Sequence, residues 1–91
     1  MTAQVGSFGH YVKTVRQEHG YSLRQVQARS RIANSTIKRV EDGFIAVPTP
    51  QVLLALVDAL ELDLVQAVNL IEPYRTLCRR LMSDMRRARH E

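Results

Sequence analysis

Residues 22–43 read SLRQVQARSRIANSTIKRVEDG, and this stretch decides the fold. Ser22 and Gln25 have capping-box spacing, in which each side chain satisfies a backbone N–H at a helix start. A short helix follows, from Leu23 to about Arg29, with Leu23, Val26 and also Gln27 as candidates for its inward face. Ile32 sits in the turn beyond it. Ile37 and Val40 then share one face of another short helix, about Asn34 to Glu41, which Gly43 closes. Asn34, Ser35, Lys38 and Arg39 fall on its other sides. Two such helices, joined by a turn of about three residues, pack at a steep angle. The N-terminal half of the second is then exposed, and it fits a DNA major groove roughly 12 Å wide.

Upstream, Ser7 is a candidate N-cap, and Phe8, Val12, Val15 and His19 follow at helical spacing with Tyr11 beside them. Gly20 ends that helix. Downstream, Thr49 before Pro50 is a cap followed by proline at the first helical position. Leu53, Leu56, Val57 and Leu60 form the next stripe. Asp63 caps a fifth helix with Leu64, Val65, Val68 and Ile71. Pro73 restarts or kinks the chain into a sixth, where Tyr74, Leu77, Cys78, Leu81, Met82 and Met85 recur at spacings of three and four. The last few residues are expected to fray. With no strand signal, the expectation is an all-α fold: five short helices plus a C-terminal amphipathic helix. Residues 1–72 are expected to form one domain, and 73–91 an extension that pairs two copies or completes the core.

Ninety-one residues, 45% of them apolar, suffice for one domain with one modest core. Tryptophan is absent and aromatics are few, so aliphatic side chains must fill that core. A single cysteine, Cys78, excludes an internal disulfide and fits a reducing compartment. No N-terminal stretch has the order of a signal peptide. Asp58, Glu61, Asp63 and Asn69 interrupt the longest apolar region, so no membrane span is expected and a cytoplasmic location follows.

The charges are sorted along the chain. Residues 1–40 hold seven basic groups (Lys13, Arg16, Arg24, Arg29, Arg31, Lys38, Arg39) against Glu18 alone. Residues 41–72 hold six acids and no lysine or arginine, and 73–91 hold six arginines against two acids. Two basic blocks around an acidic one point to a basic face for a polyanion, with the middle turned elsewhere. Chance clustering of solvated charge is the bland alternative.

With these residues in place, Phe8 to about Asp63 resembles the lambda repressor/Cro-like helix-turn-helix family. The resemblance lies in Arg16, Gly20-Tyr21-Ser22, Ser35-Thr36-Ile37, Val40-Glu41, Gly43 and Pro48. It implies a lambda repressor-like domain in which Asn34, Ser35, Lys38 and Arg39 contact bases. It also implies that Ser22, Arg24, Arg31 and Thr36 contact the DNA backbone, and that Arg16 and Glu41 form a structural ion pair. Several positions depart from the family pattern, among them the apolar loop Phe44 to Val47, where some members carry basic residues that reach DNA, and the added acid Asp42. Leu23 stands where a polar residue helps to hold a phosphate, Gln27 where alanine is favoured, and Arg31 where glycine is favoured.

His10, His19 and His90 lack ligand spacing, so no metal site is expected. Cys78 lies on an apolar seam, where packing is the expected role. No glycine-rich phosphate loop or paired carboxylates suggest an enzyme, and no cofactor is implied. Val52, Leu54, Leu62, Leu64 and Leu70 make the region after Val47 too apolar for one small core, which points to a homodimer through helices 4 to 6. The alternative is a sixth helix folded back over this surplus. Two functions remain open. One is a homodimeric transcription regulator, of phage, antitoxin or restriction-controller type, that binds double-stranded DNA and represses. The other is an antitoxin-like protein-interaction module that reuses the fold.

Overall fold

The computed structural model describes residues 6–89. Six helices follow in order: α1 (Phe8–His19), α2 (Leu23–Ser30), α3 (Asn34–Glu41), α4 (Pro50–Leu60), α5 (Leu64–Asn69) and α6 (Glu72–Arg89). No strand occurs among the described residues. The expected fraying of the last residues lies largely outside them.

Four helix starts are made by side chains that the sequence places there. Ser7 accepts the His10 N–H at 3.1 Å, and Thr49 accepts that of Val52 at 3.3 Å. Asp63 accepts the Gln66 N–H at 3.1 Å. Ser22 and Gln25 form the full capping box, at 2.7 and 3.1 Å. Each cap is worth about 1 kcal/mol. α1 closes on Gly20 at φ 74°, in the left-handed region. A Cβ there would meet nothing within 4 Å, so glycine serves the backbone conformation rather than a close approach.

The core is aliphatic, as the composition requires. Phe8 and Val12 of α1, Val26 of α2, and Ile37 and Val40 of α3 close on Leu53, Leu56, Val57 and Leu60 of α4. Burying one such side chain contributes roughly 1.5–3 kcal/mol. α4 is the central element, against which both α1 and α2 pack. Leu62, Ala67 and Ile71 extend the core towards α6. Two polar ties reinforce the frame. The Asp63 N–H donates to the Tyr11 hydroxyl at 3.1 Å, and Arg29 Nε donates to the Ala59 carbonyl at 2.9 Å.

The structure corrects several expectations. Val65 is 71% exposed and Leu64 is 46% exposed. A six-residue helix offers the core one narrow face, and Ala67 occupies it, with Ile71 buried just beyond the helix end. Val65, two residues before Ala67, points the other way. His19 also leaves the α1 stripe. It is exposed, stacks on Tyr21 at 5.1 Å, and has its ring nitrogen 3.2 Å from the Leu60 carbonyl.

The largest correction is α6. Its first turn is anchored, with the Tyr74 hydroxyl donating to the Pro48 carbonyl at 2.5 Å. From Thr76 to Ala88 every side chain is exposed. Cys78 is therefore exposed, not packed. The helix does not fold back over the domain, and the described residues extend 51 × 25 × 20 Å. Nothing between Glu72 and Arg89 breaks the helix, and Ala67 and Ile71 have already closed the end of the core. None of the described helices is long and apolar enough to cross a membrane.

Candidate nucleic-acid interface

α3 is held from behind by an ion pair that crosses the domain. Arg16 Nε lies 2.6 Å from Glu41 Oε2, and Arg16 Nη2 lies 3.0 Å from Oε1. Arg16 Nη1 donates to the Tyr21 carbonyl at 2.9 Å. Glu41 is 1% exposed, the only buried charged residue among those described. The hydrogen bond to Glu41, with its charge, holds the Arg16 guanidinium above its ordinary pKa, although burial pulls the other way. A two-pronged pair between α1 and the end of α3 sets the angle at which α3 leaves the domain.

With Ile37 and Val40 buried and Glu41 locked, α3 has one way to face. Ser35, Lys38 and Arg39 are exposed on its outer side, and Asn34 and Thr36 are half-buried. Arg39 has no hydrogen-bond or ion-pair partner among the described residues and points free. Lys38 does not. Its Nζ pairs with Asp42 Oδ1 at 3.0 Å, one turn further on, so it is drawn towards the C-terminal end of α3. Glu41 and Asp42 open the acidic block of the sequence, but both neutralise basic groups of the first block. They do not form a separate acidic face.

The remaining candidates gather on α2 and the turn. Ser22 is committed to its cap. Arg24 and Arg31 are exposed and have no hydrogen-bond or ion-pair partner among the described residues. Arg31 sits at the end of α2 with φ 63°, in the left-handed region that explains the family's preference for glycine there. Arg29 turns out to be structural. Besides its bond to Ala59 it lies 5.0 Å over the Tyr21 ring. The arginines of α6 are exposed at positions 79, 80, 86 and 87, and none pairs with Glu61 or Asp63. Among the described residues no cluster of three potential ligands could hold a metal ion.

One residue of the site was missed by sequence reasoning. Ala33 precedes α3 and offers no side-chain cap. Gln27, a candidate for the inward face of α2, is instead exposed and supplies it across the turn, its Oε1 accepting the Asn34 N–H at 2.9 Å. Arg24, Gln27, Ala28, Arg31 and Asn34 line an open cleft between the two helices. The available signal was the missing acceptor at position 33, which leaves the α3 N-terminus to borrow one.

A profile of the helix-turn-helix domain family matches residues 7–70, most of the chain. The chain therefore belongs to that family. A particular relative is the HTH-type transcriptional repressor RghR of Bacillus subtilis (strain 168), 29% identical over 85 residues. The match covers 82% of this chain but 63% of that relative, so the chain spans less than two thirds of its length. No solved structure matches significantly.

Proposed function

We propose that this chain is a sequence-specific regulator of transcription, a repressor, which binds double-stranded DNA as a homodimer on an operator with two half-sites. The observation that carries this reading is the outer face of α3. Ser35 and Arg39 stand exposed on a helix whose inner face and angle are fixed by Ile37, Val40 and the Arg16–Glu41 pair. Asn34 and Arg39 suit base edges, since arginine forks to guanine and asparagine to adenine. Lys38 serves a base or a phosphate after leaving Asp42. Ser22, Arg24, Arg31 and Thr36 serve the backbone. The relative's designation as a repressor supports the sign of regulation.

Residues 1–72 would read DNA and 73–91 would join two copies. Leu64 and Val65 of α5, with Leu77, Leu81, Met82 and Met85 of α6, are each 46–71% exposed. An apolar surface of this extent on adjoining elements marks an interface. Burying the exposed half of each side chain contributes roughly 1 kcal/mol. Six from each of two copies, about 12 kcal/mol together, are comparable to an association cost of about 4–15 kcal/mol. A weak dimer that DNA strengthens fits these magnitudes. Two-fold symmetry would set the half-sites about 34 Å apart.

Selection of bound sequences from a pool of random duplexes tests the reading. A palindromic consensus is expected, with affinity at least ~10³-fold above non-specific binding and falling steeply with salt. Failure to bind any duplex would leave the exposed apolar surface as the functional one and favour the protein-interaction module.

A further inference from the structure

We propose that the cleft between α2 and α3 holds one DNA backbone phosphate, and that Gln27 ties this phosphate to the N-terminus of the recognition helix. The inference rests on the DNA-binding reading and adds to it a site and a positioning residue. Four observations converge on the cleft. First, Arg24 and Arg31 both line it, and neither has a hydrogen-bond or ion-pair partner among the described residues. Second, no acid occurs between Glu18 and Glu41, so nothing local competes with an anion for them. Third, Arg31 occupies its place at φ 63°, a conformation that costs a side-chain-bearing residue energy, yet it carries there a long cation facing open space. Fourth, Gln27 stands between the two arginines with its oxygen already used by the Asn34 N–H at 2.9 Å.

That fourth observation assigns the rest of the Gln27 amide. With Oε1 fixed as acceptor, Nε2 is the free end and can only donate. Two guanidinium groups and one amide donor around an open cleft suit a phosphodiester, which presents only acceptors. Gln27 would then accept from the first N–H of α3 on one side and donate to phosphate on the other. Hence the phosphate that registers the protein on the duplex also fixes the backbone of Asn34, the first residue with a side chain suited to a base. Leu23 provides no polar group at the start of α2, so in this cleft Arg24, Gln27 and Arg31 supply the donors along that helix instead.

Substitutions at Gln27 separate its two bonds. Gln27→Glu keeps the acceptor for Asn34 but replaces the donor with a negative charge. Gln27→Met keeps the length and removes both functions. Gln27 is exposed, so both variants should fold. Each is measured on duplexes selected by the unaltered protein and on random-sequence duplexes, across a salt series. Gln27→Glu is expected to weaken both kinds of duplex by a similar factor. Gln27→Met is expected to weaken the selected duplexes by roughly three- to tenfold more than the random ones, the value of one hydrogen bond. The double variant Arg24→Ala/Arg31→Ala should lower the salt slope by about 0.9, the share of one phosphate.

A drop of about 1.8 in that double variant would mean two separate phosphates and would overturn the shared site. An unchanged slope would overturn it as well. Gln27→Met binding both duplexes as the unaltered protein does would remove Gln27 from the site. If the unaltered protein binds no duplex, the DNA-binding reading itself fails, an outcome distinct from all of these.

Discussion

Replacing Arg16 with alanine should destabilise the domain by about 3 kcal/mol, because it strands a carboxylate that the fold has sealed from water. The Glu41 side chain is fully buried, whereas that of Arg16 is 14% exposed. Removing one partner of a buried pair costs about 3–5 kcal/mol, and the partial exposure of Arg16 places this site at the lower end. A domain of this size has about 5–14 kcal/mol in total. A loss of 3 lowers Tm by about 12–24 °C at ~4–8 °C per kcal/mol. Thermal melts followed by circular dichroism read this directly. The converse change, Glu41→Gln, should cost less, since Arg16 can turn to solvent and a neutral acceptor remains.

The same variant carries a pH signature. Stranded in the core, the Glu41 carboxyl would have its pKa raised by burial above the unfolded value. The folded state then binds the proton more tightly than the unfolded state. Relative to the unaltered protein, Arg16→Ala should regain stability as pH falls towards the ordinary carboxylate range and lose it as pH rises through the raised pKa. In the unaltered protein the raised pKa of Arg16 contributes stability that is fully present below its ordinary value, so its titration gives no dependence near neutrality. A loss under about 1 kcal/mol, well below the usual cost of breaking a buried pair, would refute the placement of this pair as the brace behind α3. So would the absence of acid recovery in the variant.

Arg39→Ala should leave the melting curve unchanged and relax specificity at one or two base pairs by about 1–3 kcal/mol, read by competition with single-base operator variants. Uniform weakening on every sequence would make Arg39 a backbone contact instead. Ile37→Ala removes a fully buried side chain and should cost about 2–5 kcal/mol in chemical denaturation. Leu81→Asp alters only an exposed position of α6. It should therefore leave the monomer's stability intact while shifting sedimentation towards monomer and flattening cooperative binding to two half-sites. An unaltered protein that stays monomeric both free and on DNA would remove α6 as the dimer surface.

Most of the frame was legible because it is written in local chemistry. Ser7, Ser22, Thr49 and Asp63 each name a helix start within three residues of the bond they make, and Gly20 names an end. Ile37 and Val40 share a face by spacing alone. The Arg16–Glu41 pair spans 25 residues and was reached through resemblance; its geometry agrees. What spacing could not convey is where a helix goes once its anchor ends. The seam of α6 has the same period whether it covers its own domain or another chain, and only the placement of Tyr74 on Pro48 with free side chains beyond it separates the two. Val65 failed for a related reason. An apolar residue on a six-residue helix follows the pattern without fitting the one face that Ala67 already occupies.

Gln27 marks the limit most sharply. It reads as a polar residue at a position the family gives to alanine, and spacing along α2 assigns it no partner. Its role comes from Ala33, which leaves α3 to begin without its own cap at Asn34, seven residues after Gln27. An orphan N–H there must find an acceptor, and the turn brings the Gln27 oxygen to it. A departure from pattern at position 27 and a deficiency at position 33 thus explain each other. The left-handed Arg31 lies between them in the chain and lines the same opening.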